Sequence, residues 1–82
     1  MEKARLYLDY DEIGRHIRAE RKQKGWSQVN LAKRLGVSPQ LISFFENGDS
    51  RPSLEMLLRL CLIFGIKLDK LVTIHYEGEK TA

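Results

Sequence analysis

The sequence predicts an all-α fold, a compact bundle of five short helices with room for a short C-terminal β-strand. Three observations carry that prediction. Serine stands directly ahead of an apolar-periodic stretch at Ser27, Ser38 and Ser53, where its hydroxyl can accept from a backbone N–H that the helix leaves unpaired. Glycine closes such stretches at Gly25, Gly36 and Gly65, the residue most at ease where a helix ends in a left-handed turn. Between these marks apolar residues recur at helical spacing, as in Ile13 and Ile17 or Leu31 and Leu35.

Taken in order, Asp9 with Glu12 three residues later resembles a capping box and starts the first helix near Tyr10. Ile13 and Ile17 form its apolar stripe, and Lys24-Gly25 ends it. The second helix runs about 28–35 with Leu31, Ala32 and Leu35 inward, and the third about 39–46. Asn47-Gly-Asp-Ser-Arg-Pro52 is dense in turn residues. Ser53 then caps a fourth helix over about 54–64, and a short fifth over about 68–71 returns Leu68 and Leu71 to the core. With 82 residues this is a single domain, its core at about 10–71, followed by a dimerisation strand and loose tail over 72–82.

The two ends admit two readings. Leu6, Leu8 and Tyr10 alternate with polar neighbours, as do Val72, Ile74 and Tyr76, which is strand periodicity. Leu6, Tyr10, Ile13 and Ile17 also fit one helical face. The balance favours a frayed or extended N-terminus and a C-terminal strand.

The stretch from Ser27 to Glu46 carries the function. Its two helices have separate start signals, and Pro39 fits the first helical position, where a missing N–H is no loss. Two helices so close, the second polar on its outside, form a helix-turn-helix, the arrangement that lays a helix in the DNA major groove. On the third helix Leu41, Ile42 and Phe45 fall within one arc of about 100° and must face inward. Gln40, Ser43 and Asn47 project on the opposite side with Phe44 on its flank. The Gln40 amide suits the N6 and N7 edge of adenine, and Ser43 suits a phosphate or a base edge. Phe44 has three options: a thymine methyl, a sugar, or shelter against the neighbouring loop.

Composition fits this reading without proving it. Lys and Arg exceed Asp and Glu by 14 to 11, a net charge of +3, too mild a bias to identify a nucleic-acid binder alone. The cations are clustered, however: Arg15, Arg18, Arg21, Lys22 and Lys24 crowd the first helix, Lys33 and Arg34 follow, and Arg51 sits in a loop. Cys61 is the one cysteine, within an apolar run, so it reads as a small buried hydrophobe with no disulfide or thiol-rich metal site. The N-terminus lacks a signal-peptide core and no run approaches the ~18 apolar residues of a membrane span; a cytosolic protein without membrane contact is expected. An enzyme finds little support. His16 and His75 lie far apart with no ligand-spaced partner, no nucleophile context and no Gly-rich phosphate loop, so no catalytic residue, metal or cofactor is assigned, and His16 reads as a surface residue.

Residues 13–71 resemble the Cro/phage-repressor (XRE-type) helix-turn-helix family. The resemblance rests on Ile13-Gly14, Arg21, Trp26-Ser27-Gln28, Leu31-Ala32, Leu35-Gly36-Val37-Ser38, Ile42-Ser43, Glu46-Asn47-Gly48, Pro52-Ser53-Leu54 and Leu68-Asp69-Lys70-Leu71. It implies a four- or five-helix bundle that binds palindromic double-stranded DNA operators as a homodimer. It also implies that Gln28 grips phosphate, which suits the free N–H groups and partial positive charge of a helix N-terminus. Ser38, Gln40, Ser43 and Phe44 fall on groove-facing positions, with Pro39 beside them in the DNA-binding set, and Asn47, Ser50 and Arg51 on the backbone-contacting loop. Arg21 and Glu46 match a pair that bridges in relatives.

Three departures qualify the resemblance. Phe44 stands where relatives have a basic or amide residue, so the operator sequence does not carry over. Glu20 replaces a frequent apolar residue. Leu62 and Ile63 extend the apolar surface of the fourth helix almost all round, which implies a cover. The layout also resembles the antitoxin subfamily, whose strand pairs between protomers, so the competing reading is an antitoxin that binds a toxin protein and regulates its own operon.

Overall fold

The computed structural model describes residues 4–78, arranged as β1 (Ala4–Leu8), α1 (Tyr10–Gln23), α2 (Gln28–Leu35), α3 (Pro39–Asn47), α4 (Leu54–Phe64), α5 (Leu68–Leu71) and β2 (Ile74–Gly78). The anticipated tail beyond Gly78 lies outside the described residues.

Local chemistry sets each helix boundary. The Asp9 carboxylate accepts from the backbone N–H of Asp11 at 3.0 Å and of Glu12 at 3.2 Å, which starts α1. Ser27, Ser38 and Ser53 cap α2, α3 and α4 by accepting from Asn30, Leu41 and Met56. Between α2 and α3, Gly36 adopts φ 74°, so the Val37 N–H turns back to the Ala32 carbonyl at 3.0 Å. A side chain at that angle would be strained, and glycine makes the turn tight.

Ile13 and Ile17 of α1, Leu31, Ala32 and Leu35 of α2, Ile42 and Phe45 of α3, Leu57, Leu60, Cys61 and Phe64 of α4, and Leu71 of α5 form one continuous core. Trp26 stacks on Phe64 with ring centres 6.1 Å apart, and the Arg34 guanidinium lies 4.0 Å over the indole. Burial pushes the Cys61 thiol pKa above its ordinary value.

Gly14 sets how closely α1 meets α3. A Cβ there would run into the carbonyl oxygens of Phe45 and Glu46. The absence of a side chain thus lets the end of α3 rest directly on the α1 backbone.

At the ends of the chain the extended reading and the C-terminal strand both hold, and the new feature is that the two strands pair with each other. From Ala4 onward the N-terminal segment is extended and does not continue α1 backwards: β1 pairs antiparallel with β2, Leu6 opposite Tyr76 and Leu8 opposite Ile74. Because opposite residues share a face, Leu6, Leu8, Ile74 and Tyr76 lie on one side of this ribbon, and Arg5, Tyr7, His75 and Glu77 on the other. The strand expected to seek another protomer therefore already has one edge paired within its own chain. Strand periodicity won over the helical face of Leu6 because Asp9 caps α1 and stops it extending backwards.

Two histidines make links between elements, one within the bundle and one from the ribbon to it. The His16 Nδ1 lies 2.9 Å from the Leu71 carbonyl; since a carbonyl only accepts, Nδ1–H donates. His16 is thus a half-buried link between α1 and α5, not the free surface residue expected. His75 stacks on Tyr7 with ring centres 5.2 Å apart, and its Nε2 lies 2.9 Å from the Glu12 carboxylate. Glu20 is buried and its carboxylate lies 3.6 Å from the Lys70 ammonium. No helix among the described residues is long and apolar enough to cross a membrane.

Candidate nucleic-acid interface

The helix-turn-helix is built from α2 and α3, and α3 is held from behind. Ile42 and Phe45 enter the core, and Glu46 is buried beside them. Arg21 donates to both Glu46 oxygens, Nε to Oε2 at 2.6 Å and Nη2 to Oε1 at 3.0 Å. Its remaining Nη1 donates to the Trp26 carbonyl at 2.9 Å, which anchors the turn between α1 and α2. Such a two-pronged pair fixes direction as well as distance, so the angle of α3 is set from both α1 and the turn. Arg21 is consequently withdrawn from the basic surface of α1, while Arg15, Arg18, Lys22 and Lys24 remain exposed.

The outer side of α3 is open. Ser38, Pro39, Gln40 and Asn47 are exposed, Phe44 is 41% exposed, and Ser43 is half-buried. Ser38 spends its hydroxyl oxygen on the cap to Leu41, whereas the Gln40 amide has its whole bonding capacity turned outward. Leu41, expected inward, is half-buried against the core.

The loop after α3 sits differently from a free basic tip. Ser50 is half-buried, and the Arg51 guanidinium lies 5.1 Å over the Tyr10 ring, drawing it towards the start of α1. Tyr7, Leu8, Tyr10, Gly48 and Arg51 line a shallow groove there together with the carboxylates of Asp9 and Asp11. Two aspartates among its lining residues make the groove a poor seat for phosphate, and Arg51 is the one cation among the described residues that line it.

Gln28 belongs to a second cluster. It lies at the first position of α2, half-buried, and its Nε2 donates to Glu46 Oε1 at 3.1 Å. Sequence reasoning missed this link, as it missed the Arg51–Tyr10 stack, because neither pair is spaced to meet on one element. Among the described residues no group of His, Cys, Asp or Glu is placed to hold a metal ion.

This architecture agrees with known proteins. The profile of the helix-turn-helix family matches residues 17–71. The chain is 38% identical over 58 residues to the HTH-type transcriptional regulator YazB of Bacillus subtilis (strain 168), covering 71% of this chain and 84% of that protein. It is 36% identical over 64 residues to the ImmF control region 10 kDa protein of Bacillus phage phi105, covering 78% of this chain and 71% of that protein. In structure it is similar to the restriction-modification controller protein C.AhdI from Aeromonas hydrophila, with a TM-score of 0.72, 30% identity, and coverage of 77% of this chain and 96% of that one. The chain belongs to the Cro/phage-repressor (XRE-type) helix-turn-helix family, DNA-binding regulators of transcription.

Proposed function

We propose that this protein is a sequence-specific repressor that reads the major groove of double-stranded DNA with α3 and binds a palindromic operator as a homodimer. The observation that supports the reading is the division of α3: Ile42, Phe45 and Glu46 are locked behind it while Gln40, Phe44 and Asn47 stand open in front. Base edges are read by Gln40, Ser43 and Phe44, with Ser38 and Pro39 at the leading end of the helix. Gln28, Asn47, Ser50 and Arg51 hold the DNA backbone, which positions the protein without conveying sequence. No residue is assigned a catalytic role, and the protein works in the cytoplasm.

Dimerisation is supported by apolar surface that the monomer leaves wet. Leu54, Leu58 and Leu62 recur one helical turn apart on α4 and are exposed, Leu62 to 83%. On the ribbon, Leu6 is 68% and Ile74 67% exposed on one face. Ile63, for which the sequence also implied a cover, is half-buried against its own core and stands apart from this surface. A two-stranded ribbon alone is marginal in water, and a second copy would both cover its apolar face and bury an edge.

The same apolar ribbon face supports a second reading, an antitoxin whose ribbon engages a toxin protein. The two separate by mass: a repressor is a complete dimer alone, whereas an antitoxin recovers a second polypeptide from its own cells.

An NMR titration of the labelled protein with duplexes of about 20 base pairs, two helical turns, tests the interface. Backbone amides of Gln28, Ser38 and residues 40–51 should shift while those of the ribbon hold still. Shifts centred on the ribbon, or none at all, would reject the assignment.

A further inference from the structure

Glu46 presents a puzzle: it lies on the helix assigned to DNA, yet its charge would repel phosphate. Its side chain is only 3% exposed, and its carboxylate receives three N–H groups, two from Arg21 and one from Gln28. The third has a consequence for the amide. A carboxylate only accepts, so Gln28 must turn its NH2 group, not its oxygen, towards Glu46. An unrestrained glutamine amide has no such preference, and its oxygen facing a phosphate would be repelled. With one N–H given to Glu46, the second N–H of the same NH2 group is the one left to donate.

We propose that Glu46 is a positioning residue for DNA binding. It holds the Gln28 amide in the one orientation that offers an N–H to the DNA backbone, and it couples that grip to the reading helix through a single carboxylate. The proposal rests on the reading of Gln28 as a phosphate contact. Arg21 completes the device, because its two-pronged bond fixes the carboxylate in direction and offsets its charge. Phosphate held by α2 then registers α3 in the groove, since the amide at the head of α2 and the end of α3 share one bonded group.

The test uses four proteins: wild type, Gln28→Ala, Glu46→Gln and the double variant. Each is titrated with a pool of random-sequence duplexes of about 20 base pairs, because a phosphate contact is blind to sequence. Losing one hydrogen bond to a charged group should weaken binding about tenfold in Gln28→Ala. Glu46→Gln should weaken it several-fold, and the double variant should bind no worse than Gln28→Ala. Wild-type binding by Gln28→Ala would mean that Gln28 is not a phosphate contact. A loss in Gln28→Ala, with Glu46→Gln either silent or adding its full loss in the double variant, would overturn the positioning role alone. A readout on the wild-type protein keeps the proposal testable if Glu46→Gln fails to fold. The side-chain amide proton of Gln28 that faces Glu46 should lie downfield of the usual glutamine range in the free protein, and duplex should move the other. Movement of the Glu46-facing proton, or both protons at ordinary glutamine positions before duplex is added, would contradict it.

Discussion

Arg21 and Glu46 meet side by side at 2.6 and 3.0 Å, 25 residues apart in sequence and both buried. Removing one partner leaves the other charge stranded away from water. Glu46→Ala should therefore destabilise the fold by about 3–5 kcal/mol, although Glu46 faces no base. Chemical denaturation read by circular dichroism checks this, and a midpoint equal to wild type would refute it.

Gly14 makes a different prediction. Its backbone touches the end of α3, where an added methyl would meet the Phe45 and Glu46 carbonyls. Helix propensity alone favours Gly14→Ala, but overpacking against rigid backbone costs about 1–3 kcal/mol. The clash should win. A lowered melting temperature, together with weaker DNA binding from a displaced α3, is expected; a rise in melting temperature would show that α1 and α3 are less tightly apposed.

Base and backbone contacts should respond differently to salt. Gln40→Ala should lose ~1–3 kcal/mol on the preferred sequence only. Arg51→Ala should weaken all sequences alike and flatten the dependence of log affinity on log salt by about 0.9. Gln28→Ala, which removes no charge, should weaken all sequences with little change in that slope. Salt titrations of the three variants against matched and scrambled duplexes separate the cases.

Dimerisation is checked by light scattering without DNA. The intact protein should have the mass of two chains, and Leu62→Glu combined with Ile74→Lys should give a folded monomer with much weaker operator binding. A monomeric wild type, or a dimer indifferent to both changes, would contradict the assigned surfaces.

Burial of Cys61 has a pH signature. Its thiol pKa is raised in the folded state, so above the ordinary thiol pKa the unfolded chain binds fewer protons than the folded one. Stability should then fall as pH rises through that range. Cys61→Ala should lie lower overall but lose less over the same alkaline interval, as measured by denaturation midpoints.

The helix boundaries were legible because their signals are local. Ser38 with Pro39 starts α3, Gly36 turns the chain before it, and each acts within a few residues. The outward set Gln40, Ser43 and Phe44 followed from helical period alone, with Ser43 more covered than the period implies. The ribbon was half legible. Alternation marked both strands, but which strand β2 takes as partner depends on how the bundle brings the two ends together. Gln28's bond to Glu46 and the stacking of Arg51 on Tyr10 were illegible for the same reason. Such pairings arise only once α1, α2 and α3 are packed, and no periodicity within one element encodes them.

The most direct test of the central claim is selection of bound duplexes from random sequence, run in parallel with wild type and Gln40→Ala. If α3 reads the major groove from a two-fold dimer, wild type should enrich an inverted repeat with half-sites about 10 base pairs apart or a multiple of that. Gln40→Ala should then lose preference at one symmetry-related pair of positions and keep the rest. No enriched sequence, or an identical motif from both proteins, would contradict the account.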